Sequence, residues 1–322
     1  MDKLNGIQLE EVNRLLENAF RRATGLGKYI DDLNLTLSLN QAGPSNPFLG
    51  LPSLCCEAVG GRPRRAIPVM AAWYALMLAA RILDDLEDGE SDGLLWQKLG
   101  TPRTINVATG LILAAPLALL QLRDQGIEDD LVLELIQETQ RAALRIGAGQ
   151  QEDLVQVEDV DRNWKMVEAK AGEPFALACR AGAMAGGGTP AQVARLGEFG
   201  QCLGVLTQIA DDVSGFWQAP DRSDLTAGRK TLPVAYALAL TPPAQREGLR
   251  GVFRQAQHDA VVAAQAPHEL ADLGVLHILV IEAELWRQRA ITSLEGLSAT
   301  SPAKEQLLNL VEQATHWTSG GK

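Results

Sequence analysis

With 322 residues, 46% of them hydrophobic and 21% charged, the chain has the composition of a globular protein able to bury a large core in one domain or two. Its net charge of −11 and pI near 4.9 argue against nucleic acid or an anionic membrane surface as main partners. An anionic small substrate stays open if metal ions and local arginines neutralise it. Helical periodicity predicts helices over 9–23, 68–86, 105–122, 129–147, 163–184, 189–216, 232–240, 243–264, 270–294 and 302–317. Breakers fall between them at Gly43-Pro44-Ser45-Asn46-Pro47, Gly60-Gly61, Gly186-Gly187-Gly188 and Pro242-Pro243. No alternating β-branched run, linker or fixed repeat stands out. The expectation is one all-α domain, 1–322, of about ten helices, with the helices of 1–45 and the tail 318–322 peripheral.

The longest apolar stretch, 105–122, is interrupted by Asn106, Thr109, Gly110 and Pro116 and reads as a core helix, with no membrane span expected. The N-terminus lacks a basic-then-apolar signal pattern. Cys55, Cys56, Cys179 and Cys202 follow neither a CxxC nor a metal-ligand spacing, so they read as free thiols of a reducing, cytoplasmic compartment.

Two acidic clusters on apolar helical segments carry the chemistry. The first is Asp84-Asp85-Leu86-Glu87-Asp88, and the second is Gln208-Ile209-Ala210-Asp211-Asp212. Asp84 and Asp88 stand four residues apart, on one face of a helix. Buried carboxylates cost several kcal/mol unless a cation compensates them. Two such clusters facing each other across a helical bundle would form an oxygen-lined cage for Mg²⁺, which in turn would hold a substrate phosphate.

Other motifs appear around these clusters in a fixed order. Gly60-Gly61-Arg62-Pro63-Arg64-Arg65 precedes the first. Gly149-Gln150-Gln151-Glu152-Asp153-Leu154 and Met166-Val167-Glu168-Ala169-Lys170-Ala171-Gly172, running into Phe175, separate the two. Asp224-Leu225-Thr226-Ala227-Gly228-Arg229-Lys230-Thr231-Leu232-Pro233 follows the second. From about residue 55 to 240 this order resembles the trans-isoprenyl diphosphate synthase, or polyprenyl synthetase, family.

The resemblance implies an isoprenoid-synthase-type helical bundle around a central cavity. It also implies Mg²⁺, three ions with diphosphate bound, on Asp84, Asp85, Asp88, Asp211 and Asp212. These ions would drive pyrophosphate from an allylic prenyl diphosphate. Lys170, Gln208, Arg229, Lys230, Arg62 and Arg65 are then expected at the substrate diphosphate, with Lys170 counted among the catalytic residues. Cation chemistry supports this division of labour, since pyrophosphate leaves readily only once its charge is neutralised. In such enzymes bulk just before the first aspartate limits product length. Ala79 and Ala80 are small, and with Phe175 they would line a pocket for a C15 to C20 prenyl chain. Family members are commonly homodimers.

The chain departs from the family on the acceptor side. Met77 stands where a His or Gln is expected. The stretch from Gly89 to Pro102 has no Arg-Arg pair and only Lys98 for positive charge. The second cluster continues Val213-Ser214-Gly215 without its last carboxylate, Pro220 replaces a lysine and Ala171 a threonine. A pocket for isopentenyl diphosphate stripped of arginines loses affinity. The expected function is therefore a terpene synthase-like enzyme that ionises one prenyl diphosphate. The alternatives are chain elongation, prenyl transfer to another acceptor, and a non-catalytic subunit of a heteromeric synthase.

Overall fold

Every regular element among the described residues is helical, as the periodicity predicts. The computed structural model of the protein describes residues 2–41, 47–88, 94–217, 224–295, 297 and 302–316. In chain order the helices are α1 (Asp2–Thr24), α2 (Gly27–Gln41), α3 (Leu51–Ala58), α4 (Ile67–Glu87), α5 (Leu94–Leu99), α6 (Thr101–Leu119), α7 (Asp129–Val155) and α8 (Val160–Val167). They continue with α9 (Glu173–Gly186), α10 (Pro190–Trp217), α11 (Leu232–Leu240), α12 (Arg246–Ala256), α13 (Ala260–Asp272), α14 (Val275–Ser293) and α15 (Pro302–Ala314). They outnumber the ten or so that periodicity resolves: α3 and α5 are too short for a repeat to register, α2 has no predicted counterpart, and the predicted runs 163–184 and 243–264 each reach into two helices. Residues 43–46, 89–93 and 318–322 and Pro220, all used in the sequence reading, lie outside the described residues.

The helices group into two compact units. One comprises Met1–Ala143, Ala176–Gly197 and Leu294–Leu307, the other Leu144–Phe175, Glu198–Ser293 and Leu308–Lys322. The boundaries fall inside α7, α9, α10 and α15, so the units interleave in sequence where the composition alone reads as a single domain.

The first unit is organised on α4. Pro68 starts this helix, and apolar side chains from Val69 to Ile82 bury it on nearly every side against α1, α3 and α6. Helix α6 is different. Val107, Ala108, Leu111, Ala114 and Ala115 face inward, while Ile105, Leu113 and Leu117, continued by Leu120 just after it, are exposed. By length and composition Pro63–Glu87 and Thr101–Gln125 are both apolar enough to cross a membrane; the first is mostly buried and the second less than half. The 105–122 stretch is therefore only half a core helix, because leucines four and three residues apart repeat on its outer face as well.

In the second unit α11 packs on α8 and α14, α12 on α13, and α13 on α14. Asp159 caps α8, its carboxylate accepting from the Arg162 N–H at 2.9 Å, and Asp259 caps α13 in the same way. Between α8 and α9 the backbone widens into a π-helical turn, Glu168–Gly172.

Candidate active site

The first aspartate cluster closes α4. Asp84 and Asp85 are half-buried in its last turn and Asp88 is the exposed C-cap, its N–H donating to the Asp84 carbonyl at 2.9 Å. The last turn contains no basic residue. Three aspartates and Glu87 thus crowd the negative end of a helix dipole, where carboxylates are unfavourable and cations favourable. The arrangement demands positive charge from outside the helix.

In the second unit Asp211 and Asp212 lie near the C-terminal end of α10. They differ sharply. Asp212 is 3% exposed, and both of its oxygens accept hydrogen bonds, from the Gln208 amide at 2.7 Å and from the Leu232 N–H at 3.1 Å. Burial pushes its carboxyl up to about 7, against the opposing Gln208 hydrogen bond and with help from the Asp224 and Asp211 charges. Asp211 reaches solvent, although burial by the surrounding protein still raises its carboxyl above the ordinary range. Each Asp212 oxygen accepts one hydrogen bond, which ties the residue to the start of α11 and leaves further lone pairs of the carboxylate for a cation. Gln208 likewise serves Asp212.

Lys170 sits in the π-helical turn. Its ammonium donates to the Asp153 carboxylate at 2.5 Å, with both side chains about one quarter exposed. Such turns recur at functional sites because they displace one residue from the regular helical face. Two glycines let neighbouring helices press on the turn. A Cβ at Gly149 would stand 2.5 Å from the Lys170 backbone nitrogen, and one at Gly204 would collide with the Ala171 carbonyl. The motifs at 149–154 and 203–212 therefore meet the Lys170 motif in space.

The turn at 224–230 is built on Asp224, whose carbonyl accepts the Arg229 N–H at 2.8 Å and whose carboxylate lies 3.7 Å from the Arg229 guanidinium. The adjacent Lys230 points elsewhere. It pairs with Glu158 at 2.9 Å, as does Arg250, also at 2.9 Å. Burial raises the Glu158 carboxyl, but the hydrogen bonds from Lys230 and Arg250 outweigh it and hold the group below its usual range. Lys230, expected from the motif at the substrate diphosphate, is thus engaged with Glu158 in this conformation. Gln156, at φ 57°, ends α7 in the left-handed region and accepts the Lys230 N–H at 2.7 Å. The Asn163 amide donates to the Lys230 carbonyl at 3.2 Å. Asp153, Gln156, Glu158, Asn163 and Arg250 were assigned no role from sequence. Only Asp153 carried a signal, through its place in the 149–154 motif.

Arg62 and Arg65 lie just ahead of α4, whereas Asp84 lies at its far end. A rise of about 1.5 Å per residue puts about 25 Å between Ile67 and Asp84. Arg62 and Arg65, expected at a substrate diphosphate, therefore stand well away from the first aspartate cluster. Of the expected prenyl-pocket residues, Ala79 is fully buried inside the first unit and Ala80 is half-buried; Phe175, in the second unit, is half-buried. Tyr74 is also half-buried, and burial pushes its phenol up to about 12.

Among the described residues no three His, Cys, Asp or Glu side chains form a closed metal cage. An open site fits better. Mg²⁺ keeps several waters and binds through one or two carboxylates plus substrate phosphates. Asp84 and Asp88 on one face, at a helix end with no basic residue of its own, match that donor set.

The polyprenyl synthetase family profile matches residues 52–270, most of the chain and every motif described above. The chain belongs to the polyprenyl synthetase family. Members of this family and the relatives below use prenyl diphosphates, and this chain is such an enzyme. It is 29% identical over 235 residues to a short chain isoprenyl diphosphate synthase of Methanothermobacter thermautotrophicus, covering 68% of this chain and 70% of that protein. It is 27% identical over 227 residues to the mitochondrial geranylgeranyl pyrophosphate synthase 6 of Arabidopsis thaliana, covering 64% and 68%. Tryptophan prenyltransferase ComQ of Bacillus subtilis is 23% identical over 233 residues, covering 71% and 75%. Among solved structures, geranylgeranyl pyrophosphate synthetase from Pyrococcus horikoshii superposes with a TM-score of 0.82 at 20% identity, over 97% of this chain and 98% of that one. A polyprenyl synthase from Caulobacter crescentus, solved with calcium and isoprenyl diphosphate, gives 0.78 at 22% identity, over 97% and 95%.

Proposed function

We propose that the protein is a Mg²⁺-dependent, chain-elongating prenyltransferase. It ionises an allylic prenyl diphosphate, releases pyrophosphate and joins the prenyl group to isopentenyl diphosphate. The observation that carries this reading is the crowding of Asp84, Asp85 and Asp88 at the cation-seeking end of α4, inside the segment matched to polyprenyl synthetases. The named relatives favour elongation over the terpene synthase-like function expected from sequence, since several of them are geranylgeranyl and geranylfarnesyl diphosphate synthases.

Bound divalent ions supply Lewis-acid neutralisation of the departing pyrophosphate. The protein's share follows from its side chains. Asp84, Asp85 and Asp88 hold positive charge at the end of α4. Asp211 offers a solvent-reaching carboxylate, Lys170 and Arg229 add fixed positive charge, and Asp212 anchors α11. In the reaction the carbon–oxygen bond of the allylic diphosphate breaks with both electrons leaving on pyrophosphate. The acceptor's double bond attacks the resulting cation, and a proton is then lost. Small residues at 79 and 80 support a pocket for a C15 to C20 prenyl chain. The exposed apolar row Ile105, Leu113 and Leu117 on α6, continued by Leu120 just after it, supports a homodimer that covers it. The four free, buried cysteines agree with a reducing, cytoplasmic setting.

A second reading, in which the cation is captured by a different nucleophile, within its own prenyl chain or by water, is favoured by one observation. Arg62 and Arg65, the acceptor-side cations expected from the motif, stand at the wrong end of α4. Pyrophosphate release from geranyl, farnesyl and geranylgeranyl diphosphate, with and without isopentenyl diphosphate, separates the two. Release only with the acceptor supports elongation, and release without it supports the second reading.

A further inference from the structure

The turn ahead of α4 opens onto a cavity of about 870 Å³, far from the aspartates of the same unit. Arg14 of α1 and Arg62, Arg64 and Arg65 of the turn line it, with Gln121 and Gln125 across from them after α6. Two carboxylates also border it. Glu11 is already taken by Arg64, at 2.5 Å, and Asp124 is the other. Arg62 and Arg65 make no ion pair among the described residues. The cavity is thus a net positive island in a chain of net charge −11.

Arg14, Arg62 and Arg64 are exposed and Arg65 is half-buried, so water screens their repulsion, yet four guanidinium groups around one opening offer an anion more positive charge than the two carboxylates offset. Guanidinium groups present forked donors that match phosphate oxygens two at a time, which an ammonium cannot do. Amide donors such as Gln121 and Gln125 complete an oxyanion's hydrogen bonding without adding charge. The volume exceeds what a single phosphate fills. We propose that this cavity is a metal-independent binding site for a diphosphate group, outside the reacting centre. It stands about 25 Å along α4 from Asp84, so its occupant does not take part in the metal-assisted step. Two sources share this chemistry: free pyrophosphate, which the proposed reaction makes, and the head group of a prenyl diphosphate. The inference rests on the first unit alone and not on the proposed reaction.

The test is isothermal titration of the full chain with pyrophosphate, inorganic phosphate and geranyl diphosphate in excess EDTA. The account expects pyrophosphate to bind without metal, and to bind equally to D84A/D85A. It expects R62A/R65A to bind at least tenfold more weakly. Q125E, which adds negative charge on an exposed surface position and leaves packing intact, should weaken binding comparably. Binding of pyrophosphate ahead of geranyl diphosphate assigns the site to the free anion, and the reverse order assigns it to a prenyl head group. Absence of binding in EDTA, binding indifferent to R62A/R65A and Q125E, or binding lost in D84A/D85A would each overturn the proposal.

Discussion

The Leu232 N–H donates to the Asp212 carboxylate at 3.1 Å, joining the second aspartate cluster to the first residue of α11. Burial of this carboxylate, which the bond only partly offsets, sets a pH dependence. Burial raises the Asp212 carboxyl to about 7, well above an unfolded aspartate. The folded protein therefore binds this proton more tightly than the unfolded chain does. The group's stabilising contribution is complete below about pH 4 and is lost as the pH climbs towards 7. In metal-free protein, chemical denaturation across that window should show a fall that D212N lacks, of at most about 4 kcal/mol. Parallel curves for the two proteins would contradict the assignment.

Removing charge from the end of α4 should separate stability from activity. D84A/D85A relieves carboxylates that oppose the helix dipole, so the metal-free protein should remain folded. Pyrophosphate release should fall below detection. A thermal melt and a release assay on one preparation read both effects.

Lys170 depends on Asp153 for its position. Lys170→Ala should lower turnover by about a hundredfold, the scale of a lost electrostatic donor. Asp153→Asn, which leaves the lysine in place but loosens it, should cost about tenfold on the same scale. Equal losses would mean that Asp153 acts directly.

The π-helical turn tolerates no bulk behind it. Gly204→Ala drives a methyl into the Ala171 carbonyl and should destabilise the fold by about 1–3 kcal/mol. Gly248, where an added Cβ meets nothing within 4 Å, is the control, and Gly248→Ala should be neutral or stabilising.

The adjacent cations at 229 and 230 should part company. Lys230→Ala breaks the Glu158–Arg250 network and should appear mainly as lost stability. Arg229→Ala should appear mainly as lost turnover. A denaturant melt beside a kcat measurement for each variant decides it.

Much of this was legible in the chain. The ends of α4 and α10 fall within one or two residues of the periodic pattern, because long apolar helices with Pro68 and Pro190 near their starts leave little choice. The aspartate doublets and the Lys170 motif could be placed for the same reason. What was hidden depends on direction. A motif containing Arg229 and Lys230 does not say which of two neighbours turns towards Glu158. Order along the chain put Arg62 before Asp84 without saying that a straight helix holds them apart. The left-handed Gln156 had no local signal, since its conformation is set by Asp153 and Lys230 around it. The outer leucines of α6 looked like core because periodicity counts apolar residues and not what covers them.

The central claim is elongation, and one assay meets it directly. Farnesyl diphosphate and Mg²⁺ are incubated with the protein, with and without isopentenyl diphosphate, and products are read by mass spectrometry. The account predicts pyrophosphate and a longer prenyl diphosphate only when the acceptor is present. Pyrophosphate with a hydrocarbon or alcohol in its absence would contradict it.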